Sequence, residues 1–458
     1  MLTSIPVSGP SQSRLTSWFP NTRVILVAST VTAAAACADA AHLPSAPDGN
    51  ATPSAALAAA KTKVKAVRYA ALALSSQSVC GLSKTGAAYC WGLNNYGQLG
   101  DGTTDLSAAQ PRPVAGNHNF KQIAHNYTHG CGVVRSGGVL CWGSNEYGQL
   151  GIAAPLLSRV PIAAANGDDF SAVAVGAWHT CAIGRDPLGP RDGIGYCWGS
   201  NLGGQLGNNT LGGASSTPEQ VWNYVPVFGP GGFPALHFYE IIAGASSTCG
   251  LSEGYDPITY IRTGAPALWT CWGSNYSGLF GDGKVLENPI VTVAALITLA
   301  PLSVKLQGYE DSHLCVIAAD AANPFAGSRA YCAGLNVDGQ LGDGTTDTRS
   351  IAVPVVGGSA FTSISAGSEH TCALDSAGRA FCWGANNLGQ LGTGTTTPST
   401  VPVAVATTLR FATVYAGNRY TCAITSPGDA YCWGRNEVGE VGDGTTIMRL
   451  VPTLVIEP

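Results

Sequence analysis

"FCWGANNLGQLGTGTT", residues Phe381–Thr396, is followed fifty residues later by "YCWGRNEVGEVGDGTT", residues Tyr431–Thr446. Two segments that match at cysteine, tryptophan, asparagine and glycine positions indicate an internal repeat. The cysteine–tryptophan–glycine motif occurs six times, and a seventh copy carries Ala333 in place of tryptophan. The motif cysteines of the seven copies are Cys90, Cys141, Cys197, Cys271, Cys332, Cys382 and Cys432. The fold of the chain therefore follows from what one copy forms.

Each copy is predicted to form short β-strands. A second cysteine precedes the motif, as in "EHTCAL" around Cys372, and turn residues such as "SAG" lie between the two cysteines. β-favouring residues on both sides of a glycine-containing turn indicate a hairpin. A strand such as Phe361–Gly367 lies upstream of the hairpin, and a proline-led strand such as Val353–Val356 lies before that. Four strands per copy predict an all-β fold, a seven-bladed β-propeller of four-stranded antiparallel blades.

The repeats also predict the extent of the domain and the closure of the ring. Because one blade cannot bury its faces alone, the seven copies should fold as one domain, residues 63–458. The first copy has no proline-led strand upstream, and Val451–Ile456 follows the seventh copy as an extra strand. We expect this C-terminal strand to complete the first blade and to close the ring, which removes an exposed sheet edge.

The cysteines predict one disulfide per blade. Fourteen of the fifteen cysteines form seven pairs, and in four pairs the members are ten residues apart around a turn. Such residues lie opposite each other in a hairpin, within reach of a disulfide bond. Reduced, buried cysteines that pack as small hydrophobic residues are the alternative. The predicted pairs are Cys80–Cys90, Cys131–Cys141, Cys181–Cys197, Cys249–Cys271, Cys315–Cys332, Cys372–Cys382 and Cys422–Cys432.

The N-terminal segment is predicted to direct export. Val24–Ala36 is an apolar run that suits a signal-peptide core and is too short to span a bilayer comfortably. Residues 1–36 resemble a lipoprotein signal, with Cys37 as the lipidated residue, and cleavage after Ala38–Ala40 is the competing interpretation. The Ala-, Pro- and Ser-rich residues 37–62 are predicted to be a tether. We therefore expect a membrane-anchored lipoprotein or a secreted or periplasmic protein, in a compartment where disulfides persist.

Composition and motifs argue against several classes of function. Only 11% of the 458 residues are charged, the formal net charge is −5 and no basic stripe occurs, so nucleic-acid binding is not expected. The sequence contains no phosphate-binding loop, dinucleotide fingerprint or nucleophile elbow. These features predict a non-enzymatic protein without a cofactor or a metal site.

Several recurring residues are interpreted as parts of the scaffold. Equivalent positions are spread around a ring, so the histidines that precede the first cysteine of four copies should form hydrogen bonds and not share a metal. These histidines are His129, His179, His313 and His370. The motif tryptophans are predicted to pack between blades. The "GDGTT" loops each offer one aspartate, too few oxygen ligands for calcium.

The pattern "HTCAL…G…CWGxNxxGQLGDGTT" resembles the regulator of chromosome condensation repeat over nearly all of residues 63–458. It is most similar to the bacterial exported branch of that family, whose members pair two cysteines per repeat. The resemblance implies a seven-bladed propeller, and exported members include a protein-binding ring. The guanine-nucleotide exchange activity of the eukaryotic namesake is not expected here, because this chain lacks a basic tail and is predicted to be exported.

Copies three, four and five depart from the repeat through insertions. The inserted segments are Gly184–Tyr196, Phe228–Ala235, Ser252–Thr270 and Ile317–Tyr331. Strand direction alternates within a blade, so all four insertions should lie on one face of the ring. Six residues in them are of types favoured in protein interfaces and are the candidate partner-binding residues. They are Phe228, Phe233, Tyr255, Tyr260, Arg262 and Trp269.

The sequence therefore predicts an exported protein-interaction scaffold that binds an unknown protein partner through blades three to five. The chain is expected to be a monomer, with membrane contact only through a lipid anchor. A carbohydrate-binding propeller of the cell envelope is the alternative function, because exposed aromatic residues also bind sugars. The third possibility is an enzyme with a site at the channel mouth, against which stands the absence of an acid–base or nucleophile pairing in the sequence. The insertions themselves have the alternative interpretation of surface loops without a function, since loops lengthen at little energetic cost.

Overall fold

The computed structural model describes residues 67–164, 170–185, 193–221, 237–252, 268–285, 288–293, 303–305, 312–319, 328–357 and 361–458. The described residues all belong to one compact unit, Lys63–Pro458. The predicted signal peptide, Cys37 and the whole of the predicted tether lie outside them. Within the described ranges, no helix is long and apolar enough to cross a membrane.

The described residues form 28 strands, four for each of seven blades. The strands of blades one to four are β1 (Tyr69–Leu74), β2 (Ser78–Ser83), β3 (Ala88–Leu93), β4 (Ser107–Pro113), β5 (Phe120–Asn126), β6 (His129–Val134), β7 (Val139–Ser144), β8 (Leu157–Ala163), β9 (Phe170–Val175), β10 (His179–Arg185), β11 (Gly193–Ser200), β12 (Ala214–Gln220), β13 (His237–Ala243), β14 (Ser247–Ser252), β15 (Leu268–Gly273) and β16 (Asn288–Val293). The strands of blades five to seven are β17 (Ser303–Lys305), β18 (His313–Ala319), β19 (Ser328–Gly334), β20 (Arg349–Pro354), β21 (Phe361–Ala366), β22 (His370–Asp375), β23 (Ala380–Gly384), β24 (Ser399–Ala404), β25 (Phe411–Ala416), β26 (Tyr420–Thr425), β27 (Ala430–Gly434) and β28 (Arg449–Leu454).

Consecutive strands of each blade pair antiparallel, which confirms the predicted all-β propeller of four-stranded blades. Five blades form separate four-stranded sheets. Blades three and four are joined into one eight-stranded sheet, because β11 also pairs with β13 through Gly193↔Phe238 and Ile194↔His237. The ring is thus built from neighbouring sheets and not from one continuous closed sheet.

The predicted position of the proline-led strand within the blade is wrong. This strand is the fourth of its own copy and not the first of the next, as the pairing Cys382↔Val403 between β23 and β24 shows. Likewise β28 pairs with β27 through Cys432↔Thr453 and completes blade seven, so the C-terminal strand does not complete blade one. The reason lies in the loop before β28. There the Asn436 side chain donates to the carbonyl of Ile447 and accepts from the amide of Val441, both at 2.9 Å, and returns the chain to its own blade.

The two ends of the ring instead meet through packing and hydrogen bonds between blades seven and one. The amide of Val67 donates to Glu457 Oε2 at 2.8 Å, and the amide of Tyr69 donates to the carbonyl of Gly428 at 2.8 Å. Tyr69 also packs with Tyr420 and Val455 in one buried cluster. Blades seven and one are therefore joined by packing and hydrogen bonds, and not by the shared strand that the sequence predicted.

The hydrophobic core lies between neighbouring blades. At the joint of blades six and seven, Leu374 and Val405 of one blade pack against Phe411, Val414 and Trp433 of the next. A fully buried tryptophan removes ~150–250 Å² from water, which at about 25 cal/mol per Å² stabilises the joint by roughly 4–6 kcal/mol. The prediction that the motif tryptophans pack between blades is confirmed for six copies, whose tryptophans are fully buried: Trp91, Trp142, Trp198, Trp272, Trp383 and Trp433.

Seven disulfides join the second and third strands of the blades, with Cα–Cα distances of 4.1 or 4.2 Å. They are the seven pairs that the spacing predicted, so the alternative of reduced cysteines is wrong. The three wider spacings keep the same register, as Cys249↔Cys271 shows in blade four. By loop entropy, each short ring contributes on the order of 3 kcal/mol to stability.

Candidate functional site

A hydrogen-bond network repeats at the joints between blades. At the joint of blades six and seven, Thr421 Oγ1 and Trp433 Nε1 both donate to the backbone carbonyl of Gln390, at 2.8 and 3.0 Å. His370 Nε2 lies 2.8 Å from Thr421 Oγ1. Because the hydroxyl gives its one proton to the carbonyl, the histidine must donate to the hydroxyl, which fixes the Nε2–H tautomer. Thr421 and Trp433 of blade seven thus bind the Gln390 loop of blade six, and His370 of blade six binds Thr421. We call this arrangement a hydrogen-bonded joint.

Three further joints repeat this histidine–threonine–carbonyl geometry. The histidine Nε2 to threonine Oγ1 distances are 2.7–2.9 Å, in His129–Thr180, His179–Thr248 and His313–Thr371. Burial lowers the pKa of His179, His313 and His370 to about 3, so these rings are neutral near pH 7. The prediction that the recurring histidines form hydrogen bonds is confirmed, and each uses its Nε2 within the scaffold.

Two joints carry another side chain at the histidine position, Ser78 in blade one and Tyr420 in blade seven. Between blades one and two, Ser78 Oγ lies 2.8 Å from His125 Nε2. Between blades seven and one, the Tyr420 hydroxyl lies 2.9 Å from the carbonyls of both Ser75 and Ser78. A polar contact therefore also ties these two joints.

The joint of blades four and five differs at all four positions of the network. Ser247, Leu279, Leu314 and Ala333 stand where the four joints with a histidine–threonine pair carry histidine, glutamine, threonine and tryptophan. The buried residues there form an apolar cluster that contains Leu279, Leu314, Val316, Phe280 and Trp269. We call this the apolar joint.

Trp269 is a correction to the predicted partner-binding set. Its side chain is only 4% exposed and packs into the apolar joint, so it presents no aromatic surface to a protein or to a sugar. The sequence contained a signal for this position. In a strand, alternate residues share a face, so Trp269 lies on the same side as Cys271, which is buried in a disulfide.

The other five predicted partner-binding residues, Phe228, Phe233, Tyr255, Tyr260 and Arg262, lie outside the described residues. The described strands define where their segments begin. Three insertions follow second strands of their blades, β10, β14 and β18, and the fourth connects β12 to β13. In an antiparallel meander these strand ends lie on one side of the ring, which we call the insertion face.

The opposite side, which we call the turn face, carries the turns between first and second strands and the loops between third and fourth strands. Asp343 shows how the "GDGTT" loops fold there. Its Oδ1 accepts from the amide and hydroxyl of Thr345 at 2.9 and 2.7 Å, and its Oδ2 accepts from Arg349 Nε at 3.2 Å. Burial acts against them, yet these hydrogen bonds lower the pKa of Asp343. Its oxygens are satisfied by protein donors, and the described ranges contain no cluster of ligands that could hold a metal ion.

A central cavity of about 400 Å³ is lined by first strands of the blades. Its walls include the apolar side chains of Ile123, Val173 and Ile241. Gln122, also in the wall, exchanges two 3.1 Å hydrogen bonds with the backbone of Val173 and ties blade two to blade three. Burial lowers the pKa of His125 to about 3, which makes this lining histidine a poor base. The described lining therefore has the character of a packed channel wall.

Models of known protein families match the repeated segments of this chain. Two family models, both described as the regulator of chromosome condensation (RCC1) repeat, match this chain. The first matches residues 69–98, 120–149, 361–390 and 411–440. The second matches residues 85–133, 136–183, 328–374 and 377–424.

Curated relatives are similar over part of their length. The ultraviolet-B receptor UVR8 of Arabidopsis thaliana is 39% identical over 127 residues, 27% of this chain and 28% of the receptor. The probable E3 ubiquitin-protein ligase HERC4 of Homo sapiens is 31% identical over 133 residues, 28% of this chain and 12% of the ligase. The alignments thus span less than a third of either relative.

Solved structures share the fold. Prp20p from Saccharomyces cerevisiae superposes with a TM-score of 0.63 at 18% identity, over 85% of this chain and 88% of Prp20p. Human WBSCR16 superposes with a TM-score of 0.63 at 17% identity, over 79% of this chain and 88% of that protein. The sevenfold motif, the four-stranded blades and the family matches together show that this chain belongs to the regulator of chromosome condensation (RCC1) repeat family.

Proposed function

We propose that this protein is an exported, non-enzymatic scaffold that binds a protein partner through the insertions of blades three to five. The observation that carries the proposal is the contrast within one ring. Blades one, two, six and seven repeat closely, whereas three consecutive blades carry long insertions that leave the same face. Loops on a rigid scaffold are where binding residues concentrate, and seven disulfides make this scaffold rigid.

The disulfides and the N-terminal sequence support export. Disulfides persist in oxidising compartments and are rare in the cytosol, and this chain has one in each blade. The apolar run Val24–Ala36 and the following Cys37 fit a lipoprotein signal, which brings a chain to such a compartment. Both features favour a partner in the cell envelope or outside the cell.

The fold relatives support a protein as the partner. The structure of Prp20p is described together with its binding to Gsp1p and histones, and another structure holds yeast RCC1 (Prp20) bound to Kap60. A propeller of this shape can thus present a surface to other proteins. The histidine in the lining of the central cavity, His125, is a poor general base because burial lowers its pKa to about 3, which favours binding over catalysis.

The test compares the intact mature chain with a variant in which residues 253–267 are replaced by the short turn "SAG" of blade six. Proteins that the intact chain captures from envelope extracts are identified, produced singly and titrated. We expect Kd for the partner to rise at least a hundredfold in the shortened variant, while the unfolding midpoint stays unchanged. The matched control is Pro427→Ala, which changes the corresponding turn of blade seven, also on the insertion face, to the same sequence "SAG". An equal Kd for all three folded proteins would overturn the proposal.

A further inference from the structure

One exposed position distinguishes blades three to five on the turn face. It directly follows the asparagine of each third-to-fourth-strand loop. In blades one, two, six and seven the residue is polar: Asn95, Glu146, Asn387 and Glu437. In blades three, four and five it is Leu202, Tyr276 or Val337, which are 61%, 64% and 61% exposed.

The fold does not require an apolar residue at this position. The preceding asparagine holds the loop, since Asn201 Oδ1 accepts from the amide of Leu206 at 3.0 Å and Asn336 Oδ1 accepts from that of Leu341 at 2.9 Å. The same bond forms where the next residue is polar, as for Asn386 in blade six. Single exposed apolar residues are normal on protein surfaces, but three at equivalent places of adjacent blades form a repeated feature of one face.

A row of aromatic side chains from blades one to three lies on the same turn face. The ring of Tyr127 lies 6.2 Å from that of Tyr96 and 6.0 Å from that of Trp178, and all three are half-buried. These residues come from blades one, two and three. We define the apolar arc as Tyr96, Tyr127, Trp178, Leu202, Tyr276 and Val337.

Acidic residues border the three exposed apolar positions of the arc, Leu202, Tyr276 and Val337. Glu146 occupies the equivalent exposed position in blade two, and Leu202 occupies it in the next blade. At the other end, Asp338 follows Val337, and burial together with the charge of Glu369 raises the pKa of Asp338. Arg419 donates to both oxygens of Glu369, at 2.6 and 2.9 Å, and offsets part of this charge. The two ends of the series Leu202, Tyr276 and Val337 therefore favour a cationic group on a segment that covers it.

We propose that the apolar arc binds a protein segment with an apolar centre and Lys or Arg residues on its flanks. Leucine, tyrosine and valine side chains supply the apolar contact, and Glu146 and Asp338 face the flanking cations. This site lies on the opposite side of the ring from the insertions and is independent of their role.

The test selects binders from a phage library of random twelve-residue peptides on the intact mature chain. We expect the selected peptides to share an apolar centre with basic flanks. Synthetic copies should bind at least tenfold more weakly to the variant Leu202→Asn/Tyr276→Asn/Val337→Asn. This variant takes the residue that blades one and six carry at the same position, so it should fold. Their binding should also weaken with added salt, because exposed charges are screened.

Two controls keep the outcome distinct from that of the proposed function. Leu106→Asn removes a leucine that is 72% exposed on blade one and should leave peptide binding unchanged. The variant shortened at residues 253–267 should also retain it. The proposal is overturned if no peptide is enriched, if the enriched peptides are acidic or wholly polar, or if they bind the triple variant as tightly as the intact chain.

Discussion

The hydrogen-bonded joint of blades six and seven and the apolar joint of blades four and five solve one packing problem in two ways. The first buries His370, Thr421 and Trp433 around a single carbonyl. The second buries Leu314 and Leu279 in an apolar cluster at the matching positions. Both joints lie within one ring built from the same repeat, so the comparison separates what the repeat requires from what it only prefers.

The comparison teaches that the parts of the hydrogen-bonded joint depend on one another. Removing one partner of a buried hydrogen bond leaves a polar group unsatisfied, which costs about 1–3 kcal/mol. Replacing all partners by apolar groups of similar shape can be nearly neutral. This asymmetry explains why the apolar joint departs at four positions together, where a joint with one change would carry the full penalty.

The largest effect is expected from Trp433→Ala, which gives the hydrogen-bonded joint the residue that Ala333 supplies in blade five. We expect the free energy of unfolding to fall by about 3–5 kcal/mol, the usual cost of a large cavity in a core. At the apolar joint the cluster contains Phe280 and Trp269, whereas the cluster around Trp433 has no second tryptophan among its members. Denaturant unfolding of the oxidised protein measures the change, with Trp433→Phe as a control that should lose less. A loss below 1 kcal/mol would show that the two joints pack alike.

The next effect is expected from Thr421→Val, which removes one hydroxyl and leaves the buried Nε2–H of His370 without its acceptor. We expect a loss of about 2 kcal/mol in the free energy of unfolding. The double variant His370→Leu/Thr421→Val should lose less than the sum of the two single variants, since it removes both partners. The same unfolding measurement gives the coupling energy of this double-mutant cycle. Strictly additive losses would contradict the interdependence inferred from the apolar joint.

Sequence alone predicted the parts of the molecule that each copy specifies locally. The spacing of Cys372 and Cys382 around a turn gave the disulfide, and the place of His370 before the first cysteine gave a shared structural role. The order of strands in a meander is the same wherever a blade starts, so the sequence could not show that β28 completes blade seven. That assignment depends on hydrogen bonds of Asn436 across a loop.

The candidate surfaces were predicted less well, for a different physical reason. Residue type indicates that Trp269 could anchor a partner, but only packing shows that it is buried in the apolar joint. Conversely, the alignment of the repeats locates Leu202 and Val337 at equivalent positions, but it does not show that they are exposed. Their exposure depends on how the preceding asparagine folds the loop. The exposure of a side chain depends on tertiary structure, so a repeat motif predicts it only where every copy has the same local fold.

The smallest expected effect concerns pH and separates the joints by their histidines. Burial lowers the pKa of His370 to about 3, while an unfolded histidine titrates near 6.5. Below pH 6.5 the unfolded state binds the extra proton, so the stability that the neutral ring contributes is lost as pH falls from 6.5 towards 3. At pH 5.5 the loss is about 1.4 kcal/mol for one such histidine. The apolar joint carries Ser247 at this place and contributes nothing to this slope. Unfolding midpoints are measured between pH 7.5 and 5.5. They should fall less steeply with decreasing pH for His370→Gln than for the unchanged chain. Parallel curves would instead show that the His370 ring already accepts a proton in the folded protein.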